Sequence, residues 1–312
     1  MSELQKPGAI LLMGPTASGK TALGVALAQA LDTEIISVDS ALVYRGMDIG
    51  TAKPTQAERG GVPHHLIDIL DPSEAFSTGQ FRNRALELMA DITARGKLPL
   101  LVGGTMLYFN ALTQGLAQLP EADPEIRQRL DAELESLGKE VLHARLAQVD
   151  PQAAARIHVN DPQRVQRALE VYEISGRPLS SFFGAEQQDE HPYRFIKLIV
   201  APEQRKTLHD KIAERFDSML ELGFLEEVRA LWQRGDLDES MPSIRCVGYR
   251  QAWSYLNGEY DLATMRDKAI VATRQLAKRQ FTWLRKEQDA CHLISGSTDL
   301  LQQALHHCRE RG

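Results

Sequence analysis

The sequence predicts an α/β fold in which helices flank a parallel sheet, with a helical insertion domain in the middle of the chain. Two observations predict the sheet: short apolar, β-branched runs alternate with longer helical patterns, and a glycine-rich segment directly follows the first run. A third observation predicts the insertion. Between about residues 119 and 194 the strand-like runs disappear, and helical sequence rich in Arg, Glu and Gln replaces them.

The individual elements follow from local patterns. Core strands are predicted at residues 9–13, 34–38, 98–102 and 195–200, and a helix over residues 22–31. Helices are predicted to begin at Asp123-Pro124 and Asp161-Pro162, because Asp caps the first turn and Pro tolerates the first helical position. Towards the C-terminus, a long helical pattern over residues 261–286 precedes a short strand-like run at 291–294.

These patterns divide the chain into three segments. Residues 1–118 form the first part of the core, residues 119–194 the helical insertion, and residues 195–312 the second part of the core with a basic C-terminal helix. The stretch 184–192 is polar and without periodicity, so we expect a mobile linker there.

Composition argues against several classes of protein. Hydrophobic residues make up 43% and charged residues 25% of the 312 positions, unlike a disordered chain. No apolar run approaches the roughly 20 residues that cross a bilayer, and the N-terminus has no signal-like apolar region, so we expect a cytoplasmic protein. The three cysteines, Cys246, Cys291 and Cys308, have no CxxC spacing, which argues against a disulfide framework or a zinc ribbon.

The strongest motif is a phosphate-binding P-loop, which makes the core P-loop NTPase-like. The pattern GxxxxGK[ST] is matched by Gly14, Pro15, Thr16, Ala17, Ser18, Gly19, Lys20 and Thr21. In such a loop the backbone N–H groups and the following helix N-terminus face phosphate oxygens. Lys20 adds a positive charge and Thr21 a hydroxyl ligand for Mg²⁺. The motif indicates phosphate but does not identify adenine, and a guanine-specific NKxD motif is absent from the sequence.

Two polar residues follow predicted strands at the edge of the sheet where the P-loop lies. Asp39 ends the second strand, where it is a metal ligand, a general base or a turn cap. The irregular run 40–54 after it is predicted to be an active-site loop. Thr105 follows Gly103 and Gly104 at the end of another strand, where it contacts a substrate or caps the next helix.

A net charge of −6 counts against nucleic-acid binding, but three local clusters favour it. Gln163, Gln166 and Arg167 share one helix face, whose groups could read unstacked bases. Residues 266–286 contain seven basic residues and one acidic residue, and Arg274, Lys278, Phe281 and Arg285 lie along one stripe. The segment 245–250 combines two arginines with a tyrosine that is predicted to be exposed. An ordinary solvated helix face is the alternative for the first two clusters.

The motifs as a set closely resemble the bacterial tRNA dimethylallyltransferases, also called tRNA isopentenyltransferases. The resemblance rests on GPTASGKT, DSALVYRGMDIGTAKP, GGTMLY, DPQRVQRALEV, IRCVGYR and ATRQLAKRQFTWLR, which extend from residue 14 to residue 285. It implies that dimethylallyl diphosphate donates its dimethylallyl group to N6 of the adenosine just 3′ of the anticodon, with Mg²⁺ as cofactor. The partner is then the tRNA anticodon stem-loop, and we expect a monomer.

The resemblance also implies residue roles. Asp39 becomes the general base, Thr105 lies against the acceptor nucleotide, and Arg215 contacts the pyrophosphate from the other lobe. The target adenine leaves its stack and enters a channel between the two lobes. The residues expected to contact tRNA are Asp39, Ser40, Ala41, Leu42, Thr105, Arg127, Gln163, Arg164, Val165, Gln166, Arg167, Arg245, Cys246, Val247, Gly248, Tyr249 and Arg250.

Two other functions remain open on the residues alone. A P-loop small-molecule kinase would place ATP on the loop and use the insertion as a lid, and it predicts ATP turnover without RNA. An RNA-binding protein with a regulatory nucleotide switch is the third class. It gives no reason for Asp39 and Thr105 to converge on the phosphates.

Overall fold

The computed structural model describes residues 6–117, 119–183 and 191–311, which fall into two compact units. One unit comprises residues 1–114 and 191–312, and the other comprises residues 115–190. The sequence-based boundaries at 119 and 194 lie a few residues further along the chain. Residues 184–190 of the predicted linker lie outside the described residues. In the described part of the chain, every helix is too short or too polar to cross a membrane.

The larger unit is built on a parallel sheet with six strands among the described residues. The strands are β1 (Gly8–Met13), β2 (Ile35–Val38), β3 (His64–His65), β4 (Leu100–Gly103), β5 (Arg194–Ala201) and β6 (Cys291–Ile294). Their spatial order is β3-β2-β4-β1-β5-β6, and each neighbouring pair is parallel. The predicted α/β class and the predicted strands are therefore confirmed. β3 was not predicted, because its two residues are too few to produce an alternating pattern.

Helices follow every strand except β2, and they make up most of the described part of the smaller unit. In chain order they are α1 (Lys20–Ala30), α2 (Thr78–Ala94), α3 (Met106–Gln114), α4 (Pro124–Leu137), α5 (Lys139–Val149), α6 (Pro151–Arg156), α7 (Pro162–Ser175), α8 (Arg205–Glu221), α9 (Phe224–Trp232), α10 (Tyr249–Leu256), α11 (Leu262–Leu284) and α12 (Leu300–Arg311). A short 3₁₀ helix spans Leu179–Phe182.

The sheet is apolar on both faces because helices cover both. Along β1, Leu11 and Met13 pack with Phe81 of α2, whereas Ile10 and Leu12 pack on the opposite face, where α1 and α12 lie. Burial on both faces explains why β1 is a continuous apolar run without alternation. With both faces covered, a ligand site is expected at the residues that follow the carboxyl ends of the strands.

Besides the apolar clusters on the two faces of the sheet, another cluster lies around α8 to α11 and packs against the loop after β2. Val43, Tyr44 and Met47 of this loop are buried, together with Phe224 and Tyr249. Residues 40–54 contain no helix or strand, as predicted, yet their apolar side chains are anchored. The loop is thus fixed against the helices that follow β5.

The smaller unit consists of α4 to α7 and the 3₁₀ helix. The predicted starts of α4 and α7 are confirmed: the Asp123 carboxylate accepts from the N–H groups of Glu125 and Ile126, and that of Asp161 accepts from Arg164. The core of this unit consists of Leu130, Leu142, Leu146, Ala153, Val165, Ala168 and Leu169.

Candidate active site

The P-loop connects β1 to α1 directly. The loop follows Met13, and the helix begins at Lys20 after Gly19, which adopts a left-handed conformation with φ of 84°. A Cβ atom at Gly14 would lie 2.4 Å from the Val200 carbonyl oxygen of β5, so only glycine permits this close approach. The N–H groups of the first turn of α1 lack intrahelical acceptors and are available to an anion.

The loop opens on a cavity of about 540 Å³ at the carboxyl ends of the strands. Of the P-loop residues, Thr16, Lys20 and Thr21 line this cavity, whereas Ser18 is buried. Arg215 of α8 lines it as well, and its Nη1 donates to Thr16 Oγ1 at 3.5 Å. Arg215 belongs to the same compact unit as the P-loop, so its predicted placement on another lobe is wrong, whereas its contact with the pyrophosphate stays a prediction.

Burial and neighbouring charges shift the pKa values of the two cationic side chains, Lys20 and Arg215, beside the P-loop. Burial lowers the pKa of Lys20 to about 8; the Asp39 carboxylate opposes this shift and Arg215 reinforces it. Burial also lowers the pKa of Arg215, again opposed by Asp39. A bound phosphate would favour the charged form of Lys20.

Asp39 follows β2 and lines the cavity, as its position in the sequence predicts. Its Oδ1 accepts from the Ala41 N–H at 2.9 Å, which is the turn-capping arrangement left open by the sequence. Capping uses one carboxylate oxygen, so the structural role and a role towards a substrate are compatible.

Thr105 links the loops that follow β2 and β4. Its Oγ1 accepts from the Ser40 N–H at 3.1 Å, and its own N–H donates to the Val38 carbonyl oxygen at 3.2 Å. Thr105 and Ser40 both line the cavity. The two loops therefore present Asp39 and Thr105 to the same space.

The rest of the cavity includes an apolar wall that the sequence analysis missed. Its larger apolar side chains are Met106, Leu107, Ile212, Phe216, Met219, Leu276 and Trp283. They come from α3, α8 and α11. Their spacing is that of ordinary amphipathic helices, so nothing in the local sequence distinguishes them from core residues.

Cys246 also lines the cavity, as part of the segment 245–250. Burial raises its pKa to about 12, and the negative charge of Asp39 adds to the effect. The thiol therefore stays protonated and is a weak nucleophile at neutral pH.

The residues of segment 245–250, which are predicted to contact tRNA, differ in their exposure. Arg245, Cys246, Val247 and Gly248 line the cavity, and Arg245 and Arg250 are exposed. Tyr249 is completely buried and its hydroxyl donates to Glu227, so the prediction of an exposed tyrosine in contact with tRNA is wrong. Nearby, Ser40, Ala41 and Leu42 line the cavity as well.

Fewer of the predicted RNA-contacting side chains on α7 are exposed than the sequence suggests. Gln163 and Arg164 are exposed, but Val165 is 1% exposed and belongs to the core. The Gln166 side chain donates to Arg127 O and Asp131 Oδ1, and Arg167 donates to Glu170 and Pro120. A direct contact between Val165 and RNA is therefore incompatible with its burial.

Arg127 also forms an internal contact, since it donates to Glu170 while remaining half-exposed. In the larger unit, the predicted basic stripe lies on α11. Lys278 and Arg285 are exposed, whereas Phe281 packs against the core and Arg274 donates to the His209 carbonyl oxygen.

The residues fit a Mg²⁺ ion bound together with a diphosphate. Within residues 6–117, 119–183 and 191–311, no group of three His, Cys, Asp or Glu side chains forms a complete metal cage. Mg²⁺ at phosphates takes only one or two protein ligands, and the Thr21 hydroxyl and the Asp39 carboxylate, both in the cavity, are oxygen ligands of the preferred kind.

Comparisons with known proteins agree with this geometry. The family model for IPP transferase matches residues 42–287. A tRNA dimethylallyltransferase from Methylococcus capsulatus is 60% identical over 311 residues, covering 100% of both chains. Another from Thioalkalivibrio sulfidiphilus is 62% identical over 285 residues, covering 91% of this chain and 89% of the other.

Solved structures give the same result. A full-length tRNA isopentenylpyrophosphate transferase from Bacillus halodurans matches with a TM-score of 0.71 at 39% identity, covering 98% of this chain and 96% of the other. A eukaryotic dimethylallyltransferase acting on tRNA matches with a TM-score of 0.84 at 28% identity, covering 98% of this chain and 80% of the other.

Proposed function

The chain belongs to the IPP transferase family of tRNA dimethylallyltransferases, and we propose that it performs the family reaction in the cavity beside the P-loop. It is an enzyme that transfers a dimethylallyl group to tRNA. The donor is dimethylallyl diphosphate, and the acceptor is N6 of the adenosine 3′ of the anticodon, position 37.

One observation carries the proposal: a single cavity combines a phosphate grip, a carboxylate and an apolar wall. Thr16, Lys20, Thr21 and Arg215 supply donors and positive charge for a diphosphate. The apolar wall suits a five-carbon allylic chain, which has no polar groups to satisfy. Asp39 lines the same cavity, which supports its role as the proton acceptor.

The reaction breaks a carbon–oxygen bond of the donor. The N6 lone pair attacks the first carbon of the allylic chain, and the diphosphate leaves with the electron pair of the C–O bond. Negative charge develops on the departing diphosphate, where Lys20, Arg215 and the N–H groups of the P-loop stabilise it. The Asp39 carboxylate takes the proton from N6 as the C–N bond forms.

Mg²⁺ bound through the Thr21 hydroxyl and phosphate oxygens would supply further neutralisation of the leaving group. Asp39 cannot serve both as a tight metal ligand and as the base, and we assign it to the base because it is the one carboxylate among the described residues that line the cavity. Thr105 holds the loop next to Asp39 through its bond to Ser40. It also lines the cavity, which supports its predicted contact with the acceptor.

Exposed cationic residues support an RNA acceptor despite the net charge of −6. Arg245 lies at the cavity and Arg250 is exposed nearby in the chain. Lys278 is exposed on α11, and the exposed Arg285 directly follows that helix. In the smaller unit, Gln163 and Arg164 are exposed and Arg127 is half-exposed, so these three are the most accessible candidates for contacts with unstacked bases. The target base has to leave its stack to reach the cavity.

The test is transfer of radiolabel from dimethylallyl diphosphate to unmodified tRNA that has adenosine after the anticodon. Wild type is compared with Asp39→Asn and Asp39→Ala. Asparagine keeps an oxygen that can accept from Ala41 and removes the base, whereas alanine removes both functions. We expect kcat to fall by about 100-fold or more in both variants, in line with the loss of a general base, while inorganic diphosphate still binds to Asp39→Asn.

Three results would contradict parts of the proposal. Unchanged kcat in Asp39→Asn, with a loss only in Asp39→Ala, would reduce Asp39 to a turn cap. Label in a tRNA whose position 37 is guanosine would exclude N6 of that adenosine as the acceptor. Absence of label from wild type, together with ATP turnover without RNA, would favour a small-molecule kinase.

A further inference from the structure

Gln280 of α11 is nearly buried, and its side-chain amide bridges two loops at the cavity. Its Oε1 accepts from the Thr16 N–H of the P-loop at 2.9 Å. Its Nε2 donates to the Gly104 carbonyl oxygen, in the loop after β4, at 2.9 Å. Gln280 is 8% exposed, so water competes little for either bond. One side chain thus fixes a backbone donor of one loop and a backbone acceptor of the other.

The turn at Gly104 leaves room for this amide because residue 104 has no Cβ atom. A Cβ atom at position 104 would lie 2.5 Å from Gln280 Nε2 and 3.2 Å from the Gly14 carbonyl oxygen. Any other residue would push the amide out of place. The glycine therefore permits a close side-chain approach in addition to forming the turn.

Glutamine is the residue type that this position requires. The Thr16 N–H can only donate and the Gly104 carbonyl can only accept, so the bridging group needs an acceptor and a donor side by side. An ionised glutamate has no donor, and methionine offers neither in comparable strength. Both leave a buried polar group without its partner.

The two hydrogen bonds of Gln280 connect the P-loop, which is proposed to bind the diphosphate, to the loop after β4, which is proposed to contact the acceptor. Gly104 precedes Thr105, whose hydroxyl is bonded to the backbone of Ser40, the residue after Asp39. Thr16 belongs to the loop that grips the diphosphate and is also bonded to Arg215. A shift of about 1 Å between reacting groups costs on the order of 100-fold in rate.

We propose that Gln280 is a positioning residue that holds the diphosphate loop and the acceptor loop in register for dimethylallyl transfer. The proposal rests on the function assigned above. Gln280 acts through Thr16 and Gly104, and both of its hydrogen bonds join groups of the protein itself.

The experiment compares wild type with Gln280→Met and Gln280→Glu. Methionine keeps the side-chain length and removes both bonds, so we expect kcat to fall, and the Kd of inorganic diphosphate with Mg²⁺ to rise, by about tenfold or more. Glutamate in its protonated form restores a donor and an acceptor. The activity of Gln280→Glu relative to wild type should therefore recover as pH falls from 8 to 5.5, because burial raises the pKa of a carboxyl group.

A matched control comes from Gln29 of α1, whose Nε2 donates to another glycine carbonyl, that of Gly60, at 2.9 Å. Gln29→Met and Gln29→Glu should leave kcat, diphosphate affinity and the pH profile within about twofold of wild type. Thermal unfolding of all variants shows whether the Gln280 substitutions simply unfold the protein.

Wild-type kcat and diphosphate affinity in Gln280→Met would overturn the proposal. So would a Gln280→Glu variant that stays inactive at pH 5.5 while it remains folded. If wild type itself transfers no label, the proposed function fails, but the diphosphate affinity of Gln280→Met still decides whether the bridge organises the P-loop.

Discussion

The buried hydroxyl of Tyr249 donates a hydrogen bond to the carboxylate of Glu227. The same carboxylate accepts from the backbone N–H groups of Asp48, Ile49 and Gly50, at 2.8, 2.8 and 3.1 Å. Gly50 lines the cavity, so one glutamate of α9 fixes part of the cavity wall. Burial and the adjacent carboxylate raise the pKa of Tyr249, which keeps its hydroxyl protonated as a donor.

Replacing Glu227 with glutamine should loosen this wall. A carboxylate accepts at both oxygens, but an amide has one acceptor oxygen and turns its NH₂ group towards the remaining N–H donors. We expect the free energy of unfolding to fall by about 1 to 3 kcal/mol, as is usual when a buried donor loses its acceptor. Urea denaturation measures this change, and the transfer assay should show a higher KM for the donor.

The adjacent residue provides the control. Glu226 is exposed and contacts Arg229 only at 3.8 Å, so Glu226→Gln should change the stability by no more than about 0.5 kcal/mol. Equal effects of the two substitutions would show that the loss comes from the charge of α9 and not from the bonds to the loop.

Tyr249 shows why the sequence predicted some residues wrongly. Its neighbours in the chain are a glycine and an arginine, which suggested an exposed aromatic ring. The ring is covered by Phe224 of α9, which it meets edge to face with centroids 5.3 Å apart. Contacts between separate helices decide its burial, and a local motif carries no information about them.

Lys20 and Asp39, by contrast, were predictable because each is positioned by the strand directly before it. The order strand, glycine-rich turn, helix places Lys20 at the helix N-terminus, and the end of β2 places Asp39 at the same edge of the sheet. Gln280 has no such signal. It reaches the P-loop from a helix more than 250 positions away in the sequence, so only the tertiary structure reveals its role.

The affinity for diphosphate should fall as pH rises above about 8. The pKa of Lys20 in the free protein is lowered to about 8 by burial, so the side chain loses its charge above that pH. Since the bound anion favours charged Lys20, binding takes up a proton there, and log Kd should rise with pH with a slope approaching 1. Calorimetric titration with inorganic diphosphate between pH 6.5 and 9.5 measures this dependence.

Lys20→Met is the matched variant for this titration. It should bind more weakly at pH 7 and lose the dependence around pH 8. A wild-type Kd that is constant from pH 7 to pH 9.5 would mean that Lys20 stays charged throughout or does not contact the diphosphate.

Arg250 should contribute to RNA affinity through charge. It is exposed on α10, close in sequence to the cavity residues 245–248. If it contacts a phosphate, Arg250→Ala should weaken tRNA binding several-fold and reduce the slope of log K against log salt by about 1. Arg309→Ala removes another exposed arginine, on α12, and should change neither value. Equal losses in both variants would indicate a general effect of net charge.

Glu170 should control the stability of the smaller unit. It is completely buried, and its carboxylate accepts from the Asp123 N–H and from the side chains of Arg127 and Arg167. Burial alone would raise its pKa, but the hydrogen bonds from Arg167 and Arg127 outweigh burial and leave the pKa lowered. The stabilising contribution is therefore complete above the unfolded value of about 4.5 and is lost as pH falls through the lower folded value.

Glu170→Gln tests this contribution at a site that contains two of the residues predicted to contact tRNA. The amide leaves Arg127 and Arg167 without their full set of acceptors, so amide exchange in α4 and α7 should accelerate, corresponding to a loss of about 1 to 3 kcal/mol at pH 7. The difference from wild type should shrink as pH falls from 4.5 through the lower folded pKa, where the wild-type carboxylate also takes up a proton. Glu135→Gln, an exposed position on α4, should leave exchange unchanged. If Glu170→Gln preserves exchange protection yet weakens tRNA binding, the two arginines act on RNA directly, and their contacts with Glu170 only orient them.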